Sequence, residues 1–383
     1  MIPINFEKRR AAVARKVEEA GFDVYLGTRT AALHYLGGVF MPWRGIVIVT
    51  KHGDCRFVYW KGDSERVRLE GPPMKLATYG VSNMIDVAVG ELVDLGVADG
   101  KIGVDLELFG NAQLAPGMLT ASEYLALCRA LPGADIQNGV ALLDDVILLK
   151  DEAEIERLRL ATAAGDYGYA CGLAAIKPGV TENHIAGVIE KAIRDKGSYW
   201  SWSVTAGTEV GSGERTAYLG GVTNISTERK IRKNEFVILD LHPAVDLYYA
   251  DISVPAFIGR PNDKQKHLIE CWETAVATVF DAIRPGVAIA DVVRKGVAVY
   301  ERFGLAEYGV NGFGHGLGVC ARTAPAIKSY CKAEFLPGMV FALGAHLYQP
   351  GVGGMRLEYP VMVGKERAES LGSTEFRTHY VEL

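Results

Sequence analysis

Phe236-Val-Ile-Leu-Asp-Leu-His-Pro-Ala-Val-Asp-Leu-Tyr-Tyr-Ala-Asp-Ile-Ser253 holds two aspartates on which the reading of the chain turns. An apolar run carries Asp240 to its end, a short turn containing Asp246 follows, and Asp251 opens the next apolar run. The pattern predicts a hairpin with one acid on each strand. Two buried carboxylates that face each other repel unless a cation or a shared proton separates them. A turn-flanking Asp beside a surface Asp fits the same stretch, so the choice falls to residues further along the chain.

At 383 residues the chain exceeds what a single hydrophobic core usually serves, which predicts two domains. Hydrophobic residues make up 49% and charged residues 23%, the balance of a soluble globular protein. A formal net charge of -5 offers no basic field and argues against nucleic acid as a partner. No apolar stretch reaches the length of a membrane span, and the first twenty residues are charged and helical in pattern rather than signal-like. Cys55, Cys128, Cys171, Cys271, Cys320 and Cys331 are scattered without CxxC spacing, which reads as reduced thiols and a cytoplasmic protein.

Residues 5–20 have the pattern of an amphipathic helix. Val24-Tyr-Leu-Gly, Gly45-Ile-Val-Ile-Val-Thr, Arg56-Phe-Val-Tyr-Trp and Lys101-Ile-Gly-Val-Asp read as strands, with a helix near 83–95. This alternation predicts an α/β domain over residues 1–148. Asp151-Glu-Ala-Glu-Ile-Glu-Arg-Leu-Arg then opens a long charged helix, the start of a second domain over 149–383. Within it, Ala175-Ile-Lys-Pro-Gly-Val resembles Ala282-Ile-Arg-Pro-Gly-Val. Each ends one helix at a basic-Pro-Gly turn and starts another, which predicts two related halves about a pseudo-two-fold, with a site between them. A shared helix-stop signal would produce the same likeness by chance.

Phe313-Gly-His-Gly-Leu-Gly sets His315 between glycines, which leaves backbone room for a ligand or metal. Gly353-Gly-Met-Arg-Leu-Glu-Tyr-Pro-Val reads as a strand on which Arg356 and Glu358 share one face. Taken alone, a simple salt bridge between them is the plainer reading.

Taken together, these stretches resemble the creatinase/aminopeptidase P/prolidase family, whose pita-bread fold also includes methionine aminopeptidase. The likeness spans nearly the whole chain. The Arg9-Arg10 helix, Gly21-Phe-Asp-Val-Tyr-Leu and Leu33-His-Tyr-Leu-Gly-Gly resemble that family's first, creatinase-like domain, and Lys150-Asp-Glu-Ala-Glu-Ile-Glu-Arg-Leu-Arg its linker helix. The resemblance implies a two-domain α/β protein with an α+β pita-bread catalytic domain of pseudo-two-fold symmetry. It also implies a homodimer, in which Trp43 and Arg44 would reach the partner's cleft; a surface loop is the plainer reading of the two residues. The metal-binding members use Asp, Asp, His, Glu and Glu in that order; Asp240, Asp251, His315 and Glu358 match four of the five.

Three positions depart from the peptidase pattern. The first Glu is replaced by Gly344, a His ahead of the first Asp by Thr223 or its neighbours, and a His seven residues past His315 by Arg322. These losses argue against ordinary Xaa-Pro peptidase activity. His242 and His346 lie two residues beyond Asp240 and Gly344, on the same strand faces, and each offers a neutral imidazole. In the dimethylsulfoniopropionate-lyase branch of the family an extra ligand occupies the position matching His242. The expected metal set is therefore Asp240, His242, Asp251, His315, His346 and Glu358, around a divalent ion such as Mn, Zn, Fe or Co. A polar pocket lined by the two histidines is the plainer alternative. Arg322 either meets an anionic substrate or neutralises Asp240, Asp251 and Glu358 in place of a metal. Arg356, Trp202 and Thr223 are candidate substrate contacts, with core packing the plainer reading of Trp202.

The leading expectation is a metal-dependent hydrolase of an amide or related C–N bond in a small, carboxylate-bearing substrate, with Glu358, His242 and Arg322 as its catalytic groups. A metal-dependent lyase working by β-elimination, and a metal-free binding protein on the same scaffold, are the alternatives.

Overall fold

The computed structural model describes residues 1–107, 117–199, 207–218, 225–310 and 312–383. It divides into two compact units, Pro3–Ile147 and Leu148–Leu383, the latter with Met1–Ile2.

The first unit is built on a six-stranded sheet. Its elements are α1 (Phe6–Glu19), β1 (Val24–Gly27), α2 (Thr30–Ala32), β2 (Gly45–Thr50), β3 (Cys55–Trp60), α3 (Ser64–Glu70), β4 (Lys75–Tyr79), α4 (Met84–Asp94), β5 (Lys101–Val104), α5 (Ala121–Ala130), β6 (Asp135–Asn138) and α6 (Val140–Ile147). The strand order is β4-β3-β2-β1-β5-β6. Strands β1 and β2 are buried along their whole length, as their unbroken apolar runs require. Arg9 and Arg10 are buried. Arg9 lies over the ring of Tyr35, and Arg10 donates to the carbonyl of Pro73 at 2.8 Å, so α1 is tied down by cations. Trp43 is exposed and meets Trp60 edge-on.

The second unit shows the predicted internal repeat. Helices α7 (Glu152–Ala175) and α8 (Glu182–Asp195) form the first pair, α9 (Asp263–Ala282) and α10 (Ile289–Arg302) the second. The first helix of each pair opens with a capping box, Asp151 with Glu154 and Asn262 with Gln265. The basic-Pro-Gly turns put Gly179 and Gly286 at positive φ (90° and 78°). Gly179 N–H then donates to Ile231 O and Gly286 N–H to Phe335 O, both at 2.9 Å. The likeness is therefore symmetry, carried down to individual hydrogen bonds.

The strands of this unit are β7 (Glu209–Ser212), β8 (Glu235–Leu241), β9 (Ala244–Val245), β10 (Tyr248–Tyr249), β11 (Ile252–Ile258), β12 (Gly314–Gly316), β13 (Thr323–Ala326), β14 (Val340–Gln349), β15 (Gly353–Val363), β16 (Ala368–Ser370) and β17 (His379–Val381). The main sheet runs β13-β12-β14-β15-β11-β8-β7, with β16 added to β15 and β17 to β11. The predicted hairpin is β8 and β11, which pair antiparallel, and β9 and β10 form its tip. Asp246 and Leu247 take positive φ there, and Asp246 binds Arg157 at 2.6 Å.

The helices reach the sheet closely because α7 carries glycine at 165, 168 and 172. A Cβ on Gly172 would come within 2.6 Å of Ile189 and 3.3 Å of Leu239, and one on Gly168 would strike Ile193. Gly168→Leu is expected to cost about 1–3 kcal/mol by overpacking. Gly187→Ala, at an exposed helix site with nothing within 4 Å of the new carbon, should gain up to about 1 kcal/mol. Urea midpoints of both variants check the pair; a neutral Gly168→Leu would contradict the close packing of α7.

Candidate metal centre

Strand register assembles the site. Glu209 on β7 registers with Asp240 on β8, Asp240 with Ser253 on β11, Ser253 with Glu358 on β15, and Glu358 with Gly344 on β14. Residues in register share a face of the sheet, so these five positions form one row across five strands. Asp240 and Ser253 are wholly buried, and Glu358 and Glu209 nearly so. Asp251, two residues before Ser253, lies on the same face.

Asp240, His242, Asp251 and Glu358 present ligand atoms that all lie within 4.8 Å of one another. Asp251 stands at the centre: its Oδ1 is 3.2 Å from His242 Nε2, and its Oδ2 is 3.5 Å from His315 Nε2. His315 Nδ1 is 3.0 Å from Gly316 O and donates to it, which leaves Nε2 facing Asp251. That nitrogen is buried and has no hydrogen-bond partner among the described residues.

The glycines flanking His315 do a different job from the one expected. Gly314, at φ 117°, has the Ala342 carbonyl where its side chain would be, and Gly316 lies against Thr323 and Ala324. They admit the neighbouring strands, not a ligand.

Arg356 is 2% exposed and lies inside the cluster. Its Nη1 is 2.9 Å from Asp240 Oδ2, its Nη2 is 2.6 Å from Glu358 Oε2, and Glu209 Oε2 lies 3.9 Å from Nη1. The guanidinium paired with Asp240 and Glu358 is thus Arg356, as the salt-bridge reading of Arg356 and Glu358 expects, while Asp251 faces His242 and His315. Arg322 is half-buried and accepts at its carbonyl from Cys320 Sγ. Arg356 covers one oxygen each of Asp240 and Glu358 and leaves the other on each for a cation.

The pseudo-two-fold explains the two extra histidines. Ile231 and Phe335, Asn234 and Gly338, Asp240 and Gly344, and His242 and His346 are each 104 residues apart, and Asn234 and Gly338 both take positive φ at the turn before their strands. The β8–β11 and β14–β15 registers match: Asp240 faces Ser253 as Gly344 faces Glu358. Asp251 and Arg356 are therefore counterparts, an acid in one half and a base in the other. Their histidines respond oppositely. Burial alone would lower the His242 pKa, but Asp240 and Asp251 outweigh it and raise the imidazole to about 9. His346 registers with Arg356, and its pKa is lowered, by burial above all and against the pull of Glu358.

The acids divide as well. Burial pushes the Asp240 carboxyl up despite the nearby guanidinium. Glu358 is brought down to about 2, because Arg356 overcomes the burial that would raise it. Asp251 is held well below the usual carboxylate range, its burial offset by His242 and His315.

A profile described as metallopeptidase family M24 matches residues 156–365. The chain belongs to metallopeptidase family M24. It is 28% identical to the Xaa-Pro dipeptidase of Lactobacillus helveticus over 258 residues, which cover 67% of this chain and 69% of the relative. Its structure superposes on an Xaa-Pro dipeptidase from Bacillus anthracis with a TM-score of 0.85 at 24% identity, covering 98% of this chain and 100% of the other. Dipeptidase PepE from Mycobacterium ulcerans gives 0.84 at 26% identity, covering 99% and 98%. The creatinase/aminopeptidase P/prolidase resemblance and the pita-bread fold stand. Among the described residues, no helix is long and apolar enough to cross a membrane.

Trp202 and Thr223 lie outside the described residues. Sequence reasoning missed Glu209 and Ser253. Glu209 begins a four-residue strand too short for an alternation to show, whereas Ser253 was open to inference, being two residues beyond Asp251. Arg356→Met is expected to destabilise the metal-free protein by about 3–5 kcal/mol, because buried carboxylates lose their partner. Added Zn²⁺ should restore part of that loss. Urea denaturation in EDTA and in Zn²⁺ checks it; a change under about 1 kcal/mol would show that Arg356 is not their counter-ion.

Proposed function

We propose that this family member is a metal-dependent hydrolase acting on an amide or related C–N bond in a small substrate that bears a carboxylate. The convergence of Asp240, His242, Asp251 and Glu358 within 4.8 Å carries the reading. The donor set fits a divalent ion: oxygen and imidazole ligands suit Zn, Fe, Mn or Co, and the partnerless, buried Nε2 of His315 faces the same acid that joins the cluster. Asp240, Asp251, His315 and Glu358 would hold the ion, with His242 beside Asp240. When bound, such an ion supplies Lewis-acid polarisation of the scissile carbonyl.

The chain's own residues do the rest. Arg356 fixes the unused oxygens of Asp240 and Glu358, so both carboxylates keep their orientation. His242, between Asp240 and Asp251, holds and passes a proton, while Glu358, brought down to about 2 beside Arg356, stays ionised and is not the proton carrier expected from the sequence. Arg322 and Lys328 supply positive charge for the substrate carboxylate. Lys328 has its pKa lowered by burial first and by Arg322 second, so the two cations are close enough to feel each other. Both positions follow His315 in the chain.

The dipeptidases named above set the first substrates to try, Xaa-Pro and other dipeptides. Asp251→Asn is expected to abolish both turnover and ion uptake, measured by amine release and by elemental analysis of the purified protein. His242→Ala should retain the ion and lose roughly 10²–10⁴-fold in kcat. Full activity in Asp251→Asn would overturn the assignment. An alkene in place of a free amine would move the chain to the eliminating lyases.

A further inference from the structure

The fifth ligand position of this centre is Gly344, which has no side chain to offer. The space above it is nevertheless filled. A Cβ built on Gly344 would lie 3.1 Å from Cε1 of His346, and 3.2 Å and 3.3 Å from N and Cα of Gly314. The imidazole of His346, anchored two residues further along β14, has folded back over the place where a side chain at 344 would rise.

Its Nε2 points into the cluster. It is 3.5 Å from Glu358 Oε1, the oxygen that Arg356 does not take, and it has no hydrogen-bond partner among the described residues. Glu358 and Gly344 are register partners, so a carboxylate at 344 and the imidazole of His346 would approach Glu358 from the same side. The ring lies nearly parallel to that of Tyr348, at an interplanar angle of 13° and 6.1 Å between centroids. The Val310 N–H donates to the His346 carbonyl at 3.1 Å. Backbone and ring are thus both placed.

Symmetry sharpens the point. In the other half, His242 turns toward Asp251, the acid across from it. His346 has Arg356 across from it and so turns away along its own strand, over the glycine and toward Glu358. A larger residue at 344 would block that turn.

We infer that His346 is a displaced ligand: it supplies, from position 346, the metal-binding group that position 344 lacks, and Gly344 is small to make room for it. The exchange substitutes a neutral nitrogen for an anionic oxygen. The centre carries one negative charge fewer than a set with a carboxylate at 344, and its preference moves toward metals that favour imidazole, such as zinc and iron, over manganese.

The inference rests on an ion being held at the acid cluster, and the test separates the two. Co²⁺ and Zn²⁺ are titrated into EDTA-stripped wild type, His346→Ala, His346→Leu and Gly344→Glu/His346→Ala, following heat of binding and the visible Co²⁺ spectrum, with a thermal melt of each as the folding control. Wild type binds Co²⁺. His346→Ala and the bulkier His346→Leu bind it at least about tenfold more weakly, with a shifted spectrum. The double variant regains Co²⁺ affinity and, titrated with Mn²⁺ alongside wild type, takes up Mn²⁺ more tightly than wild type does. Wild-type affinity and spectrum in both single variants, or a folded double variant no tighter than His346→Ala, overturns the exchange while leaving the metal reading intact. A wild type that binds neither ion sinks both.

Discussion

A guanidinium buried among acids is the constraint on which the second unit depends. Arg356 is 2% exposed and bridges Asp240 and Glu358, which stand two strands apart in the row. Removing such charges from water is costly, and mutual attraction offsets the cost only where the geometry is good. The sheet supplies that geometry through register: five strands contribute one position each to a single row, and the hairpin β8–β11 brings Asp251 to its edge.

The pseudo-two-fold gives the centre its asymmetry. Two halves with matching turns, helices and registers place Asp240 opposite Gly344, and Asp251 opposite Arg356. One half is acid-rich and raises the His242 pKa. In the other, burial above all lowers that of His346. A symmetric scaffold thereby holds an unsymmetric set of side chains, two aspartates and one histidine in one half, one glutamate, one arginine and two histidines in the other.

Much of this was legible in the chain. The hairpin of Asp240 and Asp251 could be read because apolar runs bounded by a turn are a local signal. The repeat could be read because Lys-Pro-Gly and Arg-Pro-Gly stop helices for a local reason too. His242 and His346 were visible by their spacing from Asp240 and Gly344. The Arg356–Glu358 pair was legible from the spacing of the two residues on one strand; that the same guanidinium also meets Asp240 was not, because it depends on β15 lying next to β11, a long-range pairing that local pattern does not encode. The glycines around His315 were misread for the same reason: they answer to Ala342 and Thr323, residues brought there by the sheet. Glu209 escaped because its strand is short and its partner, Asp240, is distant in sequence.

The central claim is that one cation sits among carboxylates and imidazoles from β8, β11, β12 and β15. Crystals soaked in Zn²⁺ or Co²⁺ and measured on either side of the metal absorption edge test it directly. An anomalous peak within coordination distance of Asp240, Asp251 and Glu358, on the side away from Arg356, is the expected result. No peak at saturating ion, with Arg356 still bridging Asp240 and Glu358, would contradict it.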